Sequence, residues 1–174
     1  KTDVDSYIHS NQLRTTTHEV GHLISYGLLK QCPRIKVKIV DTKTSFFIKE
    51  YLGYVEREDD VRSDTKYLLE WHMRMLLSGK EMELFIFKDA GLGAINDYQR
   101  WIKIAKKYLE AGHGDIYYSK PKNKEEIIIN AASLNNLKIK LEKEIYIFFS
   151  VNETLIKEVI DVLYREKYLD NDSI

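Results

Sequence analysis

Residues 15–24 read TTTHEVGHLI, and they contain the pattern His-Glu-x-x-His inside a run with helical character. At helical spacing His18 and His22 lie one turn apart on the same face, where two neutral imidazoles bind one zinc ion. Glu19 is rotated about a quarter-turn from His18, so its carboxylate reaches the metal-bound water instead of joining the ligands. This pattern is typical of metal-assisted hydrolysis, most often of a peptide bond, with the glutamate taking a proton from that water.

The residues around this motif favour a packed helix. Val20, Leu23, Ile24 and Gly27 follow the spacing i, i+3, i+4, i+7, so an apolar stripe runs beside the histidine face. Gly21 costs about 1 kcal/mol of helix propensity, but it allows another backbone to approach closely. The alternative is a surface helix with two histidines by chance, and five histidines in 174 residues make that coincidence uncommon.

The composition predicts one globular domain. A chain of 174 residues can bury a sizeable core. Lys+Arg and Asp+Glu both number 27, so the net charge is zero and nucleic acid or an anionic membrane is not expected as the main partner. The single cysteine, Cys32, excludes an internal disulfide and suits a reducing compartment. We therefore expect a cytoplasmic protein, and we assume a bacterial or phage-type origin.

Two kinds of segment are missing from the sequence. No apolar run is long enough to span a bilayer and no signal peptide is recognisable, so membrane association would need a segment outside these residues. No Walker A loop occurs, so any ATP-driven unfolding would have to come from elsewhere.

Hydrophobic periodicity predicts a mainly α (α+β) fold with one small antiparallel sheet and a C-terminal helical pair. The predicted helices cover about residues 10–29, 67–87, 95–109, 125–149 and 152–168, the last two forming an antiparallel pair. The alternating residues 35–39 predict a strand with one solvent-exposed face. Residues 46–48 and 51–55 predict a further strand or hairpin, with a possible bulge at Gly53. Residues 1–10 are expected to be loosely ordered, and 56–64 and 111–122 to be loops.

A catalytic zinc takes three protein ligands and leaves one position for water, so the two histidines need a third partner. Spacing alone leaves six candidates open, namely His72, Glu81, Glu83, Asp89, Asp97 and His113. A carboxylate at a helix start, just after a glycine-containing bend, could be presented by the end of its own helix to the helix that carries the histidines. This favours Asp97. The alternative is that Asp97, or Asn96 before it, simply caps its own helix. His72 fits better as an ordinary core or surface histidine.

The chain resembles the peptidase domain of the FtsH family of ATP-dependent zinc metalloproteases at three places. Residues 18–22 match the family's His-Glu-x-Gly-His, with Val20 where alanine is usual. Residues 77–84 are similar to a family stretch with paired glycines, a basic residue and glutamates, with Ser78 in place of a glycine. Residues 93–97, GAIND, are close to the family's Gly-Ala-Ser-Asn-Asp. In that family the aspartate of the last stretch is the third zinc ligand, which implies Asp97 here.

The resemblance also implies an organisation and partners. It covers nearly all the chain, so we expect residues 1–174 to form a single FtsH-like zinc peptidase domain, with a catalytic core at about 8–111 and C-terminal helices at about 123–169. Family relatives are hexamers that carry an AAA ATPase and a membrane anchor, so a homo-oligomer and a separate AAA ATPase are possible partners. The loop after the first strand is longer, and the segment around 110–122 shorter, than is typical of the family.

The resulting hypothesis is a zinc-dependent metalloendopeptidase that hydrolyses unfolded or flexible polypeptides. His18, His22 and Asp97 hold Zn²⁺, and Glu19 acts as the base. Candidate donors to the oxyanion are Tyr117, Tyr118 and His113. The alternative is an FtsH-like module that is weakly active or inactive, acts in binding or assembly, and uses zinc structurally.

Overall fold

The His-Glu-x-x-His residues lie in the C-terminal half of a long first helix, α1, Asp3–Ser25. The computed structural model describes residues 3–29, 35–39, 53–57 and 65–170. A short 3-10 turn, Tyr26–Leu28, follows α1 directly. The expectation of loose order at residues 1–10 is wrong for residues 3–10, because no proline or glycine interrupts the helix there.

Three consecutive threonines precede the motif, and β-branched residues are poor helix formers. Thr16 and Thr17 are fully buried, and each hydroxyl donates to a carbonyl one turn earlier, that of Gln12 at 2.8 Å and of Leu13 at 2.9 Å. The buried hydroxyls are therefore paired within the helix. Packing against the rest of the protein outweighs their low helix propensity.

The small sheet has the strand order β2-β1-β3, with both pairings antiparallel. Its strands are β1, Ile35–Ile39, β2, Gly53–Arg57, and β3, Tyr168–Asp170. Val37 and Ile39 are buried while Lys38 is exposed, which confirms the alternation predicted for β1. Residue Ile39 pairs with Gly53 in an unbroken register, so the predicted bulge is absent from this ladder. The predicted strand at residues 46–48 lies outside the described residues.

The remaining helices confirm the periodicity. They are α2, Lys66–Phe87, α3, Ile95–Glu110, α4, Lys124–Val151, and α5, Glu153–Glu166. Thr65 caps α2 and Asn123 caps α4, each side chain accepting a backbone N–H three residues later. Residues 111–122 form the predicted loop, without helix or strand.

Two further predicted boundaries are wrong. The last helix does not continue to Tyr168, because Lys167 adopts a left-handed conformation with φ 61° and its N–H closes the helix on the Leu163 carbonyl. The chain then enters β3, which the periodicity did not indicate. At the other end of the sheet, Glu56 and Arg57 belong to β2 and not to the charged loop predicted for 56–64, whose remaining residues lie outside the described ranges.

One hydrophobic core joins these elements. Helix α2 lies at its centre and packs against α1, α3 and α4, while α5 packs chiefly against α1. The largest fully buried side chains come from all five helices and from β1, and include Val20, Val37, Met73, Met82, Trp101, Tyr108, Leu141, Ile145, Phe149, Ile156 and Leu163. Within the described ranges, no helix combines the length and apolar character needed to cross a bilayer.

The contact between α2 and α4 brings two carboxyl groups together, those of Glu81 and Glu142. Burial, and the negative charge of Glu142 beside it, raise the pKa of Glu81 to about 7. Lys138 offsets part of this repulsion through its ion pair with Glu142 at 2.8 Å. Because the folded state binds the Glu81 proton more tightly than the unfolded state does, stability is lost as the pH rises from about 4.5 to 7.

We therefore expect Glu81→Gln to stabilise the protein at pH 8 and to have little effect at pH 5. The two carboxyls are partly screened by solvent and by Lys138, so the gain should be about 1 kcal/mol, or a rise in Tm of roughly 2–4 °C. Thermal unfolding at both pH values measures it. The matched variant Glu158→Gln, on the exposed face of α5, should leave Tm unchanged at both pH values. An equal effect of Glu81→Gln at pH 5 and pH 8 would contradict the assignment.

Candidate metal centre

Helix α1 places the two histidines of the motif side by side. His18 and His22 are both buried, and their rings meet edge to face with centroids 4.8 Å apart. Their Nε2 atoms lie 3.1 Å from each other. The predicted shared face is therefore present, and both rings turn the same nitrogen toward one point.

Asp97 reaches that point from a different helix. It lies in the first turn of α3, after the loop that follows α2 and a 3-10 turn at Leu92–Ala94. Its Oδ2 atom lies 3.3 Å from His18 Nε2 and 3.3 Å from His22 Nε2. Among the described residues, this is the group of histidine, cysteine and carboxylate side chains whose geometry suits a metal ion.

The other nitrogen of each ring is already occupied. His22 Nδ1 lies 2.8 Å from the backbone carbonyl of Met75, and His18 Nδ1 lies 2.8 Å from Glu83 Oε1. A carbonyl and an ionised carboxylate only accept hydrogen bonds, so both Nδ1 atoms must donate. The neutral form of each ring therefore turns an Nε2 lone pair toward the other ring and toward Asp97.

The donor set fits zinc. The three atoms are 3.1–3.3 Å apart, and zinc ligands with bonds of about 2.0–2.1 Å at tetrahedral angles lie about 3.4 Å from one another. Two imidazole nitrogens and one carboxylate oxygen are also a ligand set that zinc prefers, and Nδ1 partners of this kind orient zinc-bound histidines. Three electron pairs converging in a buried place need a positive charge between them.

The pKa shifts of these groups have the same cause. Burial of the ring disfavours its charged form, yet hydrogen bonds with Asp97 and Glu83 raise the pKa of His18 to about 9. Burial likewise opposes ionisation of Asp97, but its hydrogen bonds with the two histidines hold its pKa well below the usual range. The cluster thus attracts a cation, whether a proton or a metal ion.

Glu19 lies next to His18 in α1 and is buried, with 8% of its surface exposed. Burial raises the pKa of its carboxyl, the interaction with His22 and His18 acts against that rise, and the nearby Asp97 adds to it. A carboxylate with a raised pKa is a better proton acceptor near neutral pH. Glu19 is not one of the three converging side chains.

Helices α1 and α2 approach closely behind the cluster because glycine occupies both sides of the contact. A Cβ atom at Gly21 would overlap the carbonyl oxygen of Ser78 and lie 2.8 Å from Met82 Cβ. A Cβ atom at Gly79 would lie 2.5 Å from His18 Nε2. The close backbone approach expected from Gly21 is therefore present, and Gly79 leaves the space that the His18 ring fills.

The other candidates for the third ligand lie elsewhere. His72 stacks on Trp71 with ring centroids 6.0 Å apart, and Glu81 faces Glu142. Asp89 is exposed and pairs with Arg14. His113 packs on Tyr108.

Glu83 contacts the site in a role that its candidacy as a ligand did not foresee. It is almost fully buried, and besides His18 it accepts hydrogen bonds from Arg14 and from the Gly91 N–H. Burial acts against ionisation, but these three donors lower the pKa of its carboxyl. The sequence gives one signal for this orienting role: Glu83 is an acidic residue that directly follows Met82, on the buried side of α2. The Met75 carbonyl had no signal, because any residue type supplies it.

The candidate oxyanion donors are not gathered at the cluster by any contact of the described residues. The backbone N–H of Tyr118 donates to Asn130 on α4, and Tyr117 packs against the core. Their loop is held to α4, where Ser133 also donates to the Ile116 carbonyl. A role for Tyr117, Tyr118 or His113 in binding an oxyanion stays a prediction.

Comparison with known proteins shows a similarity to a zinc metalloprotease over part of the chain. The ATP-dependent zinc metalloprotease FtsH of Pirellula staleyi is 35% identical to this chain over 99 residues, which is 55% of this chain and 13% of that protein. The chain thus contains an FtsH-related region, and it spans only a small part of that relative's length. No family model matches the chain.

Proposed function

We propose that this protein is a zinc-dependent endopeptidase of the FtsH type. The observation that carries the proposal is the convergence of His18 Nε2, His22 Nε2 and Asp97 Oδ2 to 3.1–3.3 Å of one another while both Nδ1 atoms donate elsewhere. The similarity to a zinc metalloprotease supports the choice of metal and of reaction.

In this mechanism His18, His22 and Asp97 would hold the ion. Bound zinc would supply a Lewis acid, able to polarise a carbonyl and to lower the pKa of water toward about 7. Glu19 takes the proton of the attacking water and passes it to the leaving amide nitrogen. The raised pKa of Glu19 suits both steps, because the carboxyl holds the proton in between.

A polypeptide is the substrate that suits the surroundings of the cluster. Among the strands that the structure describes, β2 lies at an edge of the sheet, and an extended chain can pair with such an edge through backbone hydrogen bonds, with little sequence preference. Leu92, Ile95 and Tyr98, in the segment that carries Asp97, are exposed apolar side chains. An unfolded or flexible segment offers both an extended backbone and apolar side chains to such a surface.

The same proposal extends to organisation and partners. Residues 1–174 would form one peptidase domain, with the catalytic core at about 8–111 and the C-terminal helices at about 123–169, since one hydrophobic core includes residues from α1 to β3. The relative is an ATP-dependent enzyme, so a separate AAA ATPase would deliver substrate. A homo-oligomer, hexameric by analogy with the family, would assemble the active form.

The alternative of a structural zinc in a binding or assembly module predicts a closed coordination sphere. Structural zinc sites almost always have four protein ligands, whereas catalytic ones have three. Within the described ranges the cluster has three ligand side chains; Glu83 is already bonded to His18 Nδ1, and Glu19 is not among the converging side chains. The number of ligands therefore favours the hydrolase.

The decisive experiment measures zinc content and proteolysis on the same purified sample. We expect about one zinc per chain and cleavage of casein or a labelled unfolded peptide that a chelator abolishes and added zinc restores. Zinc without cleavage, including in the presence of an AAA ATPase, would favour the structural role. Cleavage that resists the chelator would exclude a metallopeptidase.

Replacing Asp97 with alanine should weaken zinc binding by more than about 10–100-fold, because losing a ligand costs at least as much as losing a group that orients one. Competition with a chromogenic chelator measures the affinity. The matched variant Asp161→Ala, an exposed carboxylate on α5, should bind zinc like the wild type. Wild-type affinity in Asp97→Ala would move the third ligand to another residue.

A further inference from the structure

Arg14 lies one turn before His18 on α1 and faces α2 and the loop after it. Its Nη1 atom donates to Glu83 Oε2 at 2.9 Å and to the Asp89 carbonyl at 3.2 Å. Its Nη2 atom lies 3.5 Å from Asp89 Oδ2, and its guanidinium lies 5.0 Å from the centroid of the Phe87 ring. The planar guanidinium group thus contacts two carboxylates and a backbone carbonyl at once.

The partners of Arg14 are connected to the metal cluster through hydrogen bonds and through the chain itself. Glu83 uses Oε1 for His18 Nδ1, and Oε2 for Arg14 and for the Gly91 N–H at 2.8 Å. Asp89 and Gly91 lie in the loop that enters α3, whose first turn carries Asp97. Arg14 and Glu83 together therefore tie α1, α2 and the start of α3 to one another.

We propose that Arg14 is a positioning residue of the metal centre. It sets the orientation of the His18 ring through Glu83, and it sets the place where α3 begins, and with it Asp97, through Asp89. The guanidinium is not a metal ligand and acts only through these partners. This inference rests on the proposed function, since it assigns Arg14 to the same centre.

Burial makes this contact more than an ordinary surface ion pair. Only 3% of the Glu83 side chain is exposed, against 31% of Arg14, so the carboxylate depends on protein donors in place of water. Without the guanidinium, Glu83 loses one of the three donors that fix its carboxylate beside His18, and Asp89 loses its tie to α1. The expected consequence is a misplaced Asp97, and not simply a less stable helix.

The test compares zinc affinity with the stability of the metal-free protein in Arg14→Met and Arg14→Lys. Methionine removes both the positive charge and the guanidinium group. Lysine keeps the charge and the aliphatic chain over Phe87, but its single ammonium group cannot bridge Glu83 and Asp89. We expect zinc binding about 10–100-fold weaker in Arg14→Met and an intermediate loss in Arg14→Lys. The visible spectrum of the cobalt(II)-loaded protein should also change, because it reports ligand geometry.

Arg74→Met is the matched control. Arg74 pairs with Glu144 between α2 and α4, Nε to Oε2 at 2.8 Å, and its side chain is similarly shielded, with 19% exposed. This variant should lower Tm while its zinc affinity and cobalt spectrum stay those of the wild type. The contrast separates positioning of the metal ligands from general stability.

Each outcome decides the matter. Zinc affinity and a cobalt spectrum unchanged in Arg14→Met would overturn the positioning role. If Arg14→Met does not fold, Arg14→Lys takes its place. Weaker zinc binding by Arg14→Lys with an unchanged Tm of the metal-free protein supports the role. Unchanged zinc binding overturns it. A wild-type protein that binds neither metal would overturn the proposed function itself, and with it the role of Arg14.

Discussion

Replacing Glu19 with glutamine should leave zinc binding almost unchanged and lower peptidase activity by at least about 100-fold. Glutamine has the same shape but cannot accept the proton of the attacking water. Glu19 is not among the three converging ligand side chains, so the ion should stay in place. Zinc content, zinc affinity and the rate of peptide cleavage, measured on one preparation, test both halves of this expectation.

The useful control is a carboxylate of similar burial outside the centre. Glu81→Gln changes a mostly buried glutamate that faces α4, with 15% of its side chain exposed, and should keep full activity. Normal turnover by Glu19→Gln would remove Glu19 as the base. Loss of zinc from the same variant would instead place Glu19 among the ligands, against the geometry.

The second large effect is expected for Gly79→Ala. The added methyl would lie 2.5 Å from His18 Nε2 and 2.6 Å from Cε1, so the ring must leave its position. We expect zinc affinity to fall by more than about 10–100-fold, with activity falling alongside it. The metal-free protein should lose about 1–3 kcal/mol of stability, as for other atoms forced into a packed interior.

Two further glycines show whether the effect is local. Gly93→Ala is the control, because a Cβ atom there meets nothing within 4 Å although the residue lies close to Asp97 in the sequence. It should bind zinc normally. Gly21→Ala meets the Ser78 backbone, which cannot rotate away, so it should cost more stability than Gly79→Ala. Normal zinc affinity in Gly79→Ala would contradict the placement of His18.

The main helices could be predicted because each has an apolar stripe at helical spacing and a clear boundary. Thr65, Asn123 and the loop at 111–122 mark ends that the structure keeps within two residues of those expected. The start of α1 was missed because seven mostly polar residues have no stripe, although nothing in them breaks a helix. Strand β3 was missed because three residues are too few for a period, and its pairing with β1 is set by tertiary structure.

Prediction of the site depended on how local each contact is. His18, Glu19 and His22 lie within five residues, so helix geometry alone places them together. Its place at a helix start favoured Asp97 among the six candidates, but the family resemblance was needed to select it, because its approach depends on how α3 packs. The support from Glu83 could not be distinguished from direct ligation, since a buried acidic residue near a metal can do either. Arg14 and Glu83 are 69 residues apart in the sequence, and helical or strand spacing predicts no contact at that separation.

The pairing of β1 with β3 has a consequence for how the protein emerges from the ribosome. Val37 pairs with Leu169, so the first strand is made 132 residues before its partner. At about 5–20 residues per second, that interval is roughly 7–26 s. During this time one side of β1 remains an open edge, which can pair with another nascent chain. Chaperones that cover exposed strands should therefore raise the yield of the folded protein.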